Sequence, residues 1–308
     1  MRLLDFATRY PDEASCKALF REYREREGVV CCKCGSKSHY WKNDKSCFEC
    51  KKCKHRTGLR SGTVMHGTRL PFRKWFLAMH LLTSTKKSFS AKEIQRQLGH
   101  KRYQPIWHMV HKLRLSMGKR DNLYQLNGEI ELDEGFFSTE IEVSEKDKAL
   151  KRGRGSQRKT KVLVMVESEK VEGDDKKGKG KKSGYLKMKV IPDLKSLTIT
   201  SMVEDMVSKD STIVSDDSTS YVGLKELVQE HKPEAVDPKN VAKLLPWVHL
   251  AISNAKRLIL DMYHDVKPEY LQMYLDEFCY KYNRRYFGEK LFDRLVIASV
   301  TSKNEFRY

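Results

Sequence analysis

The chain has 308 residues, 39% hydrophobic and 33% charged, which is room for two or three domains, and no apolar run reaches the roughly 18–20 residues of a membrane span. Its net charge of +19, from 60 Lys and Arg against 41 Asp and Glu, points to a polyanion partner, with nucleic acid first. The charge is spread along the chain and not gathered on one amphipathic helix, which disfavours a membrane surface as that partner.

Met1-Arg2-Leu3-Leu4-Asp5 is too short and too soon polar to open a signal peptide, so a reducing, cytoplasmic setting is expected. Six of the eight cysteines lie between Cys31 and Cys53, and clustered cysteines in that setting read as metal ligands.

In chain order, residues 11–27 predict a short helix with Leu19, Phe20 and Tyr23 as its apolar stripe. Cys31-Cys32-Lys33-Cys34-Gly35 and Cys50-Lys51-Lys52-Cys53 then each hold a C-x-x-C pair, at the separation of a zinc ribbon. Two turns that each present two thiolates close a tetrahedral shell at about 2.3 Å, so Cys31, Cys34, Cys50 and Cys53 are the expected ligands of a structural Zn²⁺. Cys32 and Cys47 are spare, Cys47 has C-x-x-C spacing to Cys50, and His55 is an alternative ligand. A Gly- and Thr-punctuated link from Ser61 to Pro71 leads into an amphipathic helix over Phe72–Leu82, with Pro71 in its first turn. Ser90 and Glu93 predict a capping box, Ile94 and Leu98 an apolar stripe, and Gly99 a stop. A further helix over Tyr103–Met117 completes the helix, glycine turn, helix order of a helix-turn-helix, with Lys101, Arg102, Lys112 and Arg114 as its DNA-facing cations.

The second half opens on Gly128-Glu129-Ile130-Glu131-Leu132-Asp133-Glu134-Gly135. Ile130 and Leu132 alternate with polar residues as in a strand, and the strand presents Asp133 at its end. A basic insert at about 138–161 includes Arg152 and Arg154, expected to touch phosphates. The apolar run Val162 to Val166 predicts a buried strand, a second insert at about 168–183 a flexible hairpin tip, and Gly184–Ile191 the returning strand. After a helix over Leu194–Val207, Ser211–Ser215 predicts a fourth strand, ending in Asp216-Asp217. If the strands bearing Asp133 and Asp216 are neighbours, their carboxylates converge, and oxygen ligands of this kind hold Mg²⁺ or Mn²⁺. A helix from near Trp247 past Leu260 sets His249, Ser253 and Lys256 on one face, with Asn254 beside it. The last predicted helix, Pro268–Arg285, ends in a basic cluster that includes Arg284 and Arg285.

Over almost its whole length the chain resembles transposases of the IS1595 family of bacterial insertion sequences, the ISXO2-like type. The resemblance rests on an ordered set of pieces: the Cys-x-x-Cys pairs, Gly62-Thr63 to Trp75, Ser90 to Leu98, Ile130-Glu131-Leu132-Asp133-Glu134, Ser215-Asp216 with Tyr221, His249 to Arg257, Tyr263-His264-Asp265-Val266, and Tyr274 to Phe278 through Asn283-Arg284-Arg285. It implies an α/β, RNase H-like mixed sheet flanked by helices, a DDE-type site, and metal-dependent cleavage and transfer of DNA strands at an element's terminal inverted repeats. Asp133 resembles the first carboxylate and Asp216 the second. At the third position the chain departs from the usual Glu. The Ser-Asn-x-Lys pattern points to Asn254 and the count back from Lys256 to His249; Asn254 is the first choice, His249 follows closely, and Glu277 is a distant third. Lys256 and Arg257 are expected at the DNA.

The implied domains are an N-terminal helix and zinc ribbon over 1–62, a helix-turn-helix-like domain over 63–122, and a catalytic domain over 123–308. Double-stranded DNA, a dimer or higher assembly on it, and a bacterial, nucleoid-associated location follow from the same resemblance. Two alternatives stay open: an inactive, transposase-derived DNA-binding regulator, and an RNase H-like DNA nuclease.

Overall fold

A computed structural model of the chain describes residues 1–141, 149, 156, 158–170, 180–234, 244–263 and 266–306. The first elements are α1 (Leu3–Arg9), α2 (Glu13–Glu27), β1 (His39–Lys42), β2 (Cys47–Cys50), β3 (Arg56–Gly58), α3 (Phe72–Ser84), α4 (Ala91–Gln97) and α5 (Tyr103–Asp121). They are followed by β4 (Glu129–Ser138), β5 (Lys159–Lys170), β6 (Lys181–Ile191), α6 (Ser196–Met206), β7 (Thr212–Asp216), a 3₁₀ segment Thr219–Glu226, β8 (Glu230–Glu234), α7 (Pro246–Met262), α8 (Pro268–Asn283) and α9 (Leu291–Thr301). No helix among the described residues is long and apolar enough to cross a membrane.

The chain divides into two compact units, Met1–Arg120 with Arg284–Tyr308, and Asp121–Asn283. The sequence reading differs here, because it ran the catalytic domain to 308 and set the ribbon apart from the helices. The physical reason is α9. Its apolar face meets the N-terminal helices, where Phe292 packs on Phe6, Tyr10 and Phe76 in tilted and edge-on contacts with centroids 5.6–5.8 Å apart. The ribbon is tied to α2 by the buried Arg24, whose guanidinium donates to the carbonyls of Leu59 (3.3 Å) and Ser61 (2.6 Å).

In this first unit Ser90 caps α4 by accepting from the Glu93 N–H at 3.1 Å. The reciprocal half of the expected box is not formed, because the Glu93 carboxylate is taken by Arg96 and Gln97. Gly99, at φ +55°, ends the helix as expected. Pro71 is the N-cap of α3 and lies outside its first turn. The free N–H groups of that helix instead reach the Glu13 carboxylate, from Phe72 at 3.0 Å and Arg73 at 2.9 Å.

The second unit is a five-stranded mixed sheet in the order β6-β5-β4-β7-β8. β4, β5 and β6 form the expected antiparallel meander, and β7 and β8 join parallel. Alternation along β4 sends Ile130 and Leu132 into one apolar layer with α6 and Tyr221, and turns Phe137 toward the other, beneath α7 and α8. Asp133 is not at a strand end. It faces Val164 in mid-ladder, and β4 runs on to Ser138 because β5 continues beside it. The strand that stops is β7, at Asp216. β8 and α9 are elements that the sequence reading did not include. The expected second insert is shorter than 168–183, because β5 and β6 stay paired out to Lys170 and Lys181; residues 171–179 and the cluster around Arg152 and Arg154 lie outside the described residues.

Buried His111 stacks on Phe306, the rings 5.7 Å apart and 8° from parallel. Burial first, then the charges of Arg114 and His108, push its pKa down from 6.5 to about 3. A depressed folded-state pKa makes this ring's contribution complete above the unfolded value and lost as pH falls through the window toward 3. The melting temperature should therefore fall on acidification from neutral pH, and His111→Phe, which keeps a ring and removes the proton site, should flatten that dependence in pH-resolved thermal melts.

Candidate active site and cysteine cluster

The four cysteines Cys31, Cys34, Cys50 and Cys53 come together with all ligand atoms within 4.8 Å. Cys31 and Cys53 are 3.6 Å apart at sulfur, as are Cys34 and Cys50. The edge of a tetrahedron built on metal–sulfur bonds of about 2.3 Å is roughly 3.8 Å, so the cluster has the size of a Zn²⁺ shell. The two knuckles are built alike. Gly35 N–H donates to the Cys31 carbonyl at 2.9 Å and Lys54 N–H to the Cys50 carbonyl at 3.0 Å. The residue after each second cysteine is left-handed, Gly35 at φ +69° and Lys54 at φ +59°. Cys47 stays out because it shares β2 with Cys50 at a separation of three, which turns the two side chains to opposite faces. His55 meets Cys32 instead, at 3.2 Å.

The acidic site is built on β4. The register pairs Ile130 with Ile213 and Glu131 with Val214, so two residues further along Asp133 and Asp216 come level on neighbouring parallel strands. Both take the same side of the sheet, because Val214 belongs to the layer beneath α7 and Asp216 is two residues on. Asp133 is largely buried. Burial pushes its carboxyl up to about 7, the charges of Glu134 and Asp216 add to this, and the Glu134 N–H, 2.7 Å away, works against it.

Over this site lies α7. Its first free N–H groups, from Trp247 and Val248, donate to one oxygen of the buried Glu131 carboxylate at 2.8 and 3.0 Å. A helix start favours a negative charge, so Glu131 anchors α7 to β4 two residues before Asp133. His249 follows directly, and its Nδ1 lies 3.7 Å from Asp133 Oδ2. Lys256 is on the flank of α7 that carries His249, with Nζ 5.7 Å from the Phe137 ring; burial first, then the charge of Lys159, pull its ammonium below the usual lysine value, and the charge of Asp133 works against them.

On the opposite face of β4, the Tyr221 hydroxyl donates to the Glu134 carboxylate, and both residues are buried. Tyr221 sits in the 3₁₀ segment just after Asp216, so this bond ties the Asp216 turn to the strand bearing Asp133. Sequence reasoning quoted Glu131, Glu134 and Tyr221 within motifs but gave them no role. The signal was acidic side chains at both alternations of a strand that is otherwise apolar.

The remaining expected residues are placed as follows. Asn254 is on α7, five residues from His249 and so about 140° around the helix. Glu277 is 1% exposed on α8, 3.7 Å from Lys281. That helix is bonded to β6 through Gln272 and Asn283, two strands away from β4. Arg257, Lys101 and Arg102 are exposed, and Lys112 and Arg285 half-exposed. Arg114 and Arg284 are buried, at 1% and 5% exposure, so neither side chain faces outward toward a DNA backbone. Asp133, Asp216 and His249 form a more open group than the cysteines, which alone among the described residues meet the 4.8 Å spacing.

Asp133 and Asp216 thus share one side of a mixed α/β sheet, with His249 and Lys256 on the helix above it. Residues 125–283, more than half of the chain, match the ISXO2-like transposase domain, and the chain belongs to the IS1595, ISXO2-like, transposase family. It is 25% identical over 175 residues to an uncharacterized protein in the transposable element ISH50 of Halobacterium salinarum. The match covers 54% of this chain and 58% of that protein, so the chain spans little more than half the length of this curated relative. The relative is archaeal, whereas the sequence reading expected a bacterial setting. Among solved structures the chain is similar to a pre-cleavage Mos1 transpososome, at 13% identity over 71% of this chain and 76% of that one, with a TM-score of 0.26.

Glu131→Ala should lower the stability of the protein by about 1 to 2 kcal/mol, the worth of a helix cap, in urea unfolding. Glu129→Ala, which removes only a partly exposed pair with Lys181, should cost well under that.

Proposed function

We propose that this chain is a DNA transposase that binds the ends of its element and cuts and joins DNA strands at the site on β4. The observation that carries the reading is the placement of Asp133 and Asp216 on one side of neighbouring parallel strands, with His249 3.7 Å from Asp133, inside the family's matched region. Two carboxylates on one side of neighbouring strands suit a hard divalent ion, so Asp133 and Asp216 would hold Mg²⁺ or Mn²⁺. When bound, such an ion polarises a phosphoryl oxygen and activates the attacking oxygen. His249 is the third residue of the site in this reading. Being neutral where a Glu would be charged, it leaves less negative charge to hold a second ion.

The chain's own groups account for the rest. Lys256 and Arg257 on α7 would take the phosphates flanking the scissile one, and Glu131 keeps α7 at the height where His249 meets Asp133. In the first unit, Lys101, Arg102 and Lys112 would contact the duplex backbone. The four cysteines would hold a closed, structural Zn²⁺, whose role is to form the ribbon and not to take part in the chemistry. Two element ends must be joined, which favours at least a dimer on DNA.

With duplex carrying the element's own ends, added Mg²⁺ should yield strand nicks on a denaturing gel. Asp133→Asn and Asp216→Asn should lower that cleavage by at least about hundredfold while end binding persists. His249→Ala should lower it about 10- to 100-fold and Asn254→Ala hardly at all. Undiminished cleavage in Asp133→Asn would show the site to be misplaced, and binding without any cleavage by the parent protein would favour the regulator.

Metal analysis of the purified protein should find one zinc per chain. Cys34→Ser should lose it, and Cys32→Ser and Cys47→Ser should keep it.

A further inference from the structure

The strand that carries Asp216 is held at its end by β8. The ladder between β4 and β7 covers only Glu129 to Glu131 on the β4 side, so Ser215 and Asp216 extend beyond it. β8 continues beside them, with Pro233 opposite Ser215 and Glu234 opposite Asp216. Pro233 has no N–H to donate to that ladder. Four of the five residues of β8 are exposed, and His231 is the exception. Its Nε2 lies 2.9 Å from Oγ of the buried Ser215, and the same oxygen is 2.8 Å from the Asp216 carbonyl.

Ser215 has one hydroxyl proton for these two neighbours. If it went to His231, the Asp216 carbonyl would lose this donor, and the proton of the neutral ring would sit on Nδ1. That nitrogen is buried and has no hydrogen-bond partner among the described residues, and a buried N–H without an acceptor is costly. With the ring proton on Nε2 both bonds are made: Nε2–H donates to Ser215 Oγ, and the Ser215 hydroxyl donates to the Asp216 carbonyl. On the side-chain end of the same residue, the Ser218 N–H reaches Asp216 Oδ1 at 3.3 Å. The Asp216 peptide is thus tied to β8 and its carboxylate to its own turn. Groups that orient a metal ligand from behind are worth about 10–100-fold in metal affinity. We propose that His231 is a positioning residue for Asp216, acting through Ser215, and that by this link β8 sets the affinity of the acidic site for its divalent ion. The inference rests on the reading of Asp133 and Asp216 as ligands of that ion.

The test titrates the full chain with Mn²⁺ in the absence of DNA and follows the free ion by electron paramagnetic resonance. His231→Phe, which keeps a ring and removes both nitrogens, should weaken Mn²⁺ binding about tenfold. His231→Gln, whose amide N–H can stand in for Nε2–H, should stay within about threefold of the parent. Ser215→Ala should lose about as much as His231→Phe, and the double variant no more than either alone, because the two side chains form one hydrogen-bonded chain. Unchanged Mn²⁺ affinity in His231→Phe, an equal loss in His231→Gln, or losses that multiply in the double variant would each overturn the proposal. Thermal melts of the same variants should lie close to that of the parent. Mn²⁺ affinities that fall in step with the melting temperature would make His231 a structural residue and overturn it too. Asp216→Asn should remove the binding. Binding that survives that change would overturn the acidic-site reading and this one together, whereas its loss in Asp216→Asn with no change in His231→Phe overturns this one alone.

Discussion

The arrangement of the acidic site depends on one buried carboxylate. Glu131 points out of β4 and receives the first free N–H groups of α7. A buried acid without such partners is expensive, and a helix start without an acceptor leaves its N–H groups unsatisfied. The two N–H groups work against the burial that pushes the Glu131 carboxyl up to about 7, and their bonds hold the start of α7 to the strand. His249 follows the capped residues, and Asp133 is two residues beyond Glu131, on the same side of the strand. Their 3.7 Å separation is therefore set by the cap.

The same strand works on its other face. Glu134 takes the Tyr221 hydroxyl in the layer beneath the sheet, where Tyr221 packs with Ile130, Leu132 and the helix α6. Asp216 ends β7 five residues earlier, so a bond on the lower face steadies a turn whose acid stands on the upper one. β4 thus holds both partners of Asp133, one through each alternation of its side chains. The burial of Glu131 and Glu134 on β4 is explained by these two tethers.

In the first unit the recurring device is again an acid on a helix start, Glu13 on α3. Together with Arg24 beneath the ribbon it binds elements far apart in the chain without a large sheet. The ring cluster of Phe6, Tyr10, Phe76 and Phe292 does the rest, and it draws the C-terminal helix α9 back to the N-terminal unit.

Much of this was legible in the residues. Period-two alternation marked β4, an unbroken apolar run marked β5, and thiolate spacing marked the cysteine cluster, because each is a local pattern with one geometric solution. The two aspartates were legible as a pair because each comes directly after strand-patterned residues, although β4 runs on past Asp133 and only β7 ends at its aspartate. That His249 comes within 3.7 Å of Asp133 was not, since His249 and Asn254 stand on one helix and its start on Glu131 decides which way the helix is turned. Nor was the burial of Arg114 and Arg284, which read as surface cations until other elements covered them. The residues alone determined the strands, the helices and the chemical groups available. Which groups meet was decided by contacts between segments more than a hundred residues apart, such as Glu131 with Trp247 and Val248, and a local pattern carries no information about those.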